Sequence, residues 1–186
     1  MQRFSERKRG ILSGKLGQIW VETVIYTLIA FSLMGLVLAF VIPSIEETQD
    51  KGVIDQSVAI MQNIDTTIKG IGDPGNQRVL NVIINKGSIT INPVTNLISF
   101  TMDSRSQYSE PGKNISIGSI TVDTETKNDQ YTVTLTLDYT GLYNLTYGGK
   151  KGDVTLTSSS VPYALTISNA GKDSSGKTII NMGVAG

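Results

Sequence analysis

Cysteine and histidine are both missing from this chain of 186 residues. Without cysteine no disulfide can staple an exported domain and no thiol chemistry is available. Without histidine the commonest general base and the commonest metal ligand are lost together. Charge is scarce, with 16 basic against 16 acidic side chains and a formal net of zero. That balance hides an asymmetry: Arg3, Arg7, Lys8, Arg9 and Lys15 oppose Glu6 alone within residues 1–17, and the remainder is correspondingly acidic. A remainder of that sign argues against nucleic acid as a partner. The positive-inside rule keeps the basic leader in the cytoplasm and sends the rest of the chain outward.

What is present is one long apolar run. From Val24 to Ile42 no charge interrupts the sequence, a helix of about 28 Å at ~1.5 Å per residue and enough to span a bilayer. The run is longer than the apolar core of a secretory signal, and no small-residue cleavage site comes after it. The one attractive site lies before it, so the helix would stay on the mature protein. Gly35 and Ala39, small and four apart, suit close approach of another helix. Pro43 comes next, where a helix kinks without having to end. Ile54, Val58, Met61, Ile64, Ile68 and Ile71 then form one apolar stripe at helical spacing. Gly70, Gly72 and Asp73-Pro74-Gly75 stop it.

Beyond Arg78 the period changes to two. RVLNVII and SITIN flank Asn85-Lys86-Gly87, which predicts a hairpin. LISFTM, SIGSITVD, QYTVTLTLDY, LYNLTY, DVTLTS, VPYALTIS and KTIINMGV come after them, with turn residues in between. In the fifth of these nine segments Tyr131, Val133, Leu135, Leu137 and Tyr139 share a face. The expected class is α+β: a long kinked N-terminal helix, apolar then amphipathic, and an antiparallel sandwich-like β domain. The expected organisation is a cleaved leader at 1–17, the helix at 18–72 and an extracellular β domain at 73–186.

Candidate chemistry is sparse. Ser, Lys and Asp occur together in GKDSSGK at 171–177, which also suits a polar turn. Asp123, Glu125, Asn128 and Asp129 offer oxygen ligands without an EF-hand spacing, and a solvated hairpin end accounts for them. No catalytic residue, metal site or cofactor is assigned, and no enzyme is expected. Asn114-Ile115-Ser116 and Asn144-Leu145-Thr146 are N-glycosylation sequons.

Glu22 is the anomaly, since a carboxylate in hydrocarbon costs roughly 2.5–3.5 kcal/mol on insertion scales. It can snorkel to the cytoplasmic interface, serve as a relay acid, or pair with a new cation. Cleavage after Gly17 creates such a cation, the α-amine of Gln18, four residues before Glu22. That pairing would disfavour a subunit inserted at the wrong axial register. The fifth residues after Gly10 and Gly14 are Lys15 and Ile19, so neither glycine pairs with an acid in this way.

The basic leader, Gly17, Glu22 five residues on and the uninterrupted apolar helix resemble the type IV pilin superfamily. Gln18 after the glycine is similar to the archaeal branch with class III signal peptides, related to archaellins. The resemblance covers residues 1 to about 70; over the β region it is architectural. Leu16 stands where the archaeal pattern often has a basic residue, and Trp20 is bulky for so early a position. The resemblance implies a processing site at Lys15, Leu16, Gly17 and Gln18, with Glu22 as the assembly acid. It implies a prepilin peptidase, an assembly ATPase and a membrane platform protein as partners, and a helical homo-oligomeric filament as product. The chain would lie in the cytoplasmic membrane before assembly, N-terminus inside, and on the cell surface afterwards, in adhesion or motility. The rival expectation is a monomeric single-pass anchor carrying a β-sandwich binding module.

Overall fold

The structure, a computed structural model, describes residues 13–128 and 130–185, with side chains from Trp20 onward. It contains one long helix and a sheet-rich domain, the α+β class expected. Contacts divide the chain into two compact units, Met1–Ser44 and Ile45–Gly186. Helix α1 (Ser13–Lys69) contains Pro43 without ending there. Proline has no N–H to donate to the carbonyl of Ala39, so one rung of the ladder is missing there.

In the second unit the stripe predicted along α1 is buried. Ile54, Met61, Ile64 and Ile68 are at most 1% exposed, and Val58 and Ile71 are nearly so. Each such side chain contributes about 1.5–3 kcal/mol by leaving water. The helix closes with Gly70 N–H donating to the Thr66 carbonyl at 2.9 Å. Lys69 in the last turn complements the helix dipole. Gly72, at φ +73°, then turns the chain, and its carbonyl accepts from Asn169 Nδ2 at 2.6 Å.

Among the described residues ten strands come after α1: β1 (Gln77–Val82), β2 (Ser88–Asn92), β3 (Leu97–Ser104), β4 (Ile115–Ile117), β5 (Ile120–Lys127), β6 (Gln130–Asp138), β7 (Tyr143–Tyr147), β8 (Val154–Thr157), β9 (Tyr163–Lys172) and β10 (Thr178–Val184). They form a four-stranded sheet, order β1-β9-β10-β7, and a six-stranded sheet, order β4-β5-β6-β3-β2-β8. Alternation decides the faces. On β6, Val133, Leu135 and Leu137 are buried and directly oppose Met102, Phe100 and Ile98 of β3. Leu165, Ile167, Ile180 and Met182 do the same for the smaller sheet. Both inner faces and the α1 stripe belong to one cluster of buried side chains.

Three details depart from the sequence pattern. The hairpin expected across Asn85-Lys86-Gly87 is instead a crossover between sheets, because β1 pairs with β9 whereas β2 pairs with β3 and β8. Gly87, at φ +84°, lies so close under β3 that a Cβ would sit 2.5 Å from the Thr101 carbonyl oxygen. This close approach accompanies the pairing of β2 with β3. The segment SIGSITVD is two strands, since Gly118 at φ +62° allows a tight turn between β4 and β5. One pairing, β7 with β10, is parallel.

Candidate functional site

Two regions carry polar or exposed features that the fold alone does not require. The first is α1 from Trp20 to Ser44. Its sixteen large apolar side chains between Trp20 and Ile42 are all 38–72% exposed, and none is buried. The segment is about 37 Å long at ~1.5 Å per residue, and α1 is long and apolar enough to cross a membrane. Half the burial value of each side chain sums to about 12–24 kcal/mol. That matches or exceeds the net stability of an ordinary domain, ~5–15 kcal/mol. An apolar helix exposed on all sides needs lipid or protein around it.

Three of its hydroxyls bond back to carbonyls of the helix itself. Thr27 Oγ1 donates to the Thr23 carbonyl at 2.7 Å, Ser32 Oγ to that of Leu28 at 2.8 Å, and Ser44 Oγ to that of Phe40 at 3.2 Å. Glu22, the only charged residue between Trp20 and Ile45, accepts a hydrogen bond from the Tyr26 hydroxyl at 3.2 Å. The pair is four residues apart, the helical spacing at which side chains meet. Sequence reasoning missed this donor, although the spacing alone is enough to find it. A Cβ on Gly35 would meet nothing within 4 Å, so one face is open there, level with Ala39 one turn on. Lys15, Leu16, Gly17 and Gln18 belong to the opening turns of α1, but their side chains are not among those described. Arg3, Arg7, Lys8 and Arg9 lie outside the described residues altogether.

The second region is where α1 meets the β strands within Ile45–Gly186. Asp50 is 5% exposed. Its Oδ1 pairs with Lys86 Nζ at 2.5 Å, and its Oδ2 accepts from the Arg105 backbone N–H at 2.8 Å. Arg105 Nε in turn pairs with Glu46 at 2.5 Å. These groups, with Asp103, line a polar cleft of about 370 Å³. Farther along, the Tyr108 hydroxyl donates to Asp55 at 3.2 Å and Asn85 Nδ2 to Gln56 at 2.8 Å. The Tyr139 hydroxyl donates to Asp65 at 3.0 Å, and Asp65 also pairs with Lys69, which reaches Ser119. Burial, reinforced by the Asp65 charge and hydrogen bond, pushes the Tyr139 phenol far above its usual range. Tyr108 is raised for the same reasons beside Asp55. Asp50 sits one helical turn before Ile54, so the stripe's spacing extends to it; its polarity disguises that.

The remaining sequence candidates are dispersed. Asp173 organises the turn at 171–177: its Oδ1 accepts from Ser175 Oγ at 2.7 Å, Ser175 N–H at 2.8 Å and Lys177 N–H at 2.9 Å. Led by the Ser175 hydroxyl, these bonds hold its carboxyl below the usual range. Asp123 and Glu125 stand on β5 and Asn128 in the turn after it, whereas Asp129 lies outside the described residues. Among the described residues no three His, Cys, Asp or Glu side chains gather as a metal site. Asn114 is exposed just before β4, and Asn144 is half-buried in β7. No protein-family model, curated protein or solved structure matches this chain.

Proposed function

We propose that the chain is a structural subunit of an archaeal type IV pilus-like surface filament. A prepilin peptidase cuts it between Gly17 and Gln18, and it assembles through α1 with the help of an ATPase and a membrane platform protein. The observation that carries this reading is the exposed apolar helix beginning at Trp20, with Glu22 as its only charge. Such a surface must have lipid before assembly and sibling helices afterwards. Moving from one to the other costs little apolar burial, because the helix is enclosed in both.

Glu22 sets the register in this scheme. Its carboxylate meets the Gln18 α-amine of a packed subunit, and a one-turn slip would leave both charges unpaired in low dielectric. The β domain forms the outer surface and serves attachment or motility. Mass spectrometry of surface-exposed protein tests the reading: the mature chain begins at Gln18, and an intact leader overturns the proposal. Electron microscopy of cells expressing Glu22→Ala supplies the second arm, where absence of filaments is expected and normal filaments would remove Glu22 from the mechanism.

A further inference from the structure

The chain carries two sequons with the same sequence credentials, and their surroundings differ. Asn144 stands inside β7, paired in register with Ile179 of β10. Its Nδ2, the atom that glycosylation must use, donates to Asp173 Oδ2. The hydroxyl of Thr146, the third sequon residue, donates to Asn181 Oδ1 at 3.1 Å. Even the middle residue is tied, since Leu145 N–H donates to Asn96 Oδ1 at 2.8 Å. The amide nitrogen and the hydroxyl that a transferase must engage are both occupied.

Asn114 presents the opposite situation. It is exposed, as are Ile115 and Ser116, and it precedes the three-residue edge strand β4, which among the described residues pairs with β5 alone. Neither its amide nor the Ser116 hydroxyl makes a side-chain hydrogen bond among the described residues. The loop is nonetheless held in place, because Gly112 N–H donates to the Thr124 carbonyl at 3.1 Å and Lys113 N–H to that of Glu110 at 3.0 Å. An exposed sequon at an edge, with its amide free, is a ready acceptor.

We infer that Asn114 is the N-glycosylation site of the folded protein and that Asn144 stays bare. The donor class is a lipid-linked oligosaccharide. Asn114 Nδ2 attacks the anomeric carbon; the N–C1 bond forms as the bond from C1 to the lipid phosphate oxygen breaks. The phosphate leaves with the electron pair, and the amide proton passes to a base of the transferase. The glycan would stand at the outer edge of the six-stranded sheet. In the cell this inference rests on the proposed export of the β domain.

The test separates the two. Detergent-purified full-length protein is incubated with a single-subunit oligosaccharyltransferase and a lipid-linked oligosaccharide, folded or denatured in urea and then diluted, and glycopeptides are quantified. Folded protein should be modified at Asn114 more than roughly tenfold faster than at Asn144, since the latter must first surrender its hydrogen bonds. Denatured protein should lose that preference. Equal rates in the folded protein, or a bare Asn114, would overturn the inference. Asn114→Gln should abolish the glycan mass on surface protein from cells, and Asn144→Gln should leave it; the reverse pattern also overturns it. Protection of the β domain from external protease would sink the export reading, while the purified assay still decides the site.

Discussion

The two halves of α1 handle their polar and apolar atoms in opposite ways. Between Trp20 and Ser44 the apolar side chains face outward all round, and Thr27, Ser32 and Ser44 hand their hydrogens to carbonyls of their own helix. Between Asp50 and Lys69 the apolar residues are confined to one stripe, and most polar contacts go to the β strands and their loops: Asp50 to Lys86, Gln56 to Asn85, Asp55 to Tyr108, Asp65 to Tyr139. Ser57, bonded back to Val53 at 2.8 Å, is an exception. A helix that satisfies its hydroxyls internally is adapted to surroundings without polar partners. A helix that spends them on tertiary contacts has its partner in the same chain. The difference therefore tells which half is complete in one molecule and which is not.

The sharpest way to break this contrast is to make the same truncation in each half. Ile64→Ala should lower the stability of the β domain by about 2–5 kcal/mol, read from urea unfolding in detergent by circular dichroism, because the site is closed on all sides. Leu33→Ala, at a side chain 60% exposed, should leave that unfolding unchanged. Comparable losses would mean that the apolar half also packs within its own subunit.

Next in size is the Asp50 pair. Its two members differ, for Asp50 is buried while the Lys86 side chain is 46% exposed. Removing the lysine strands a buried carboxylate with only the Arg105 N–H, whereas removing the acid frees a lysine to turn to water. Lys86→Met should thus destabilise by roughly 1–3 kcal/mol and more than Asp50→Asn does. Equal effects would show that Asp50 is better solvated than its surroundings imply.

Tyr139 gives a smaller effect with a pH signature. Its folded phenol is raised above the ordinary value of 10, so the unfolded chain loses its proton first. Stability from this group is complete below about pH 10 and falls as pH rises above it. Tyr139→Phe should cost about 0.5–1.5 kcal/mol at neutral pH and flatten the alkaline decline. A decline unchanged in the variant would assign it to other groups, Tyr108 among them.

Much of the fold is legible in the sequence because it is set by period. The α1 stripe, the alternation on β6 and the outward apolar run each repeat a local rule, and all appear where the spacing puts them. Pairing partners are not legible in the same way. Asn85-Lys86-Gly87 has hairpin chemistry, yet β1 pairs with β9 and β2 with β3, where Gly87 packs against the backbone of Thr101 fourteen residues away. The parallel pairing of β7 with β10 likewise depends on strands far apart in the chain. For the candidate site, Glu22 and both sequons stand out in the sequence. Nothing local reveals that Asp173 and Asn181 occupy one sequon and leave the other free.

The smallest effect concerns Glu22 and its neighbour Tyr26. In the proposed scheme the Gln18 α-amine exists only after cleavage, so the precursor's carboxylate needs another donor while the helix sits in lipid. The Tyr26 hydroxyl supplies one from the same helix. Hydrogen bonds between side chains in membrane helices average about 0.6 kcal/mol, so Tyr26→Phe should reduce the yield of membrane-inserted precursor by only roughly threefold. Removing the same hydroxyl in a Glu22→Gln background, where no carboxylate needs it, should cost nothing further. A double-mutant cycle on the yield of membrane-inserted precursor, which does not depend on filament assembly, measures that coupling. If the two changes prove additive, Tyr26 acts elsewhere, and the precursor's Glu22 must find its donor from lipid headgroups or water at the membrane edge.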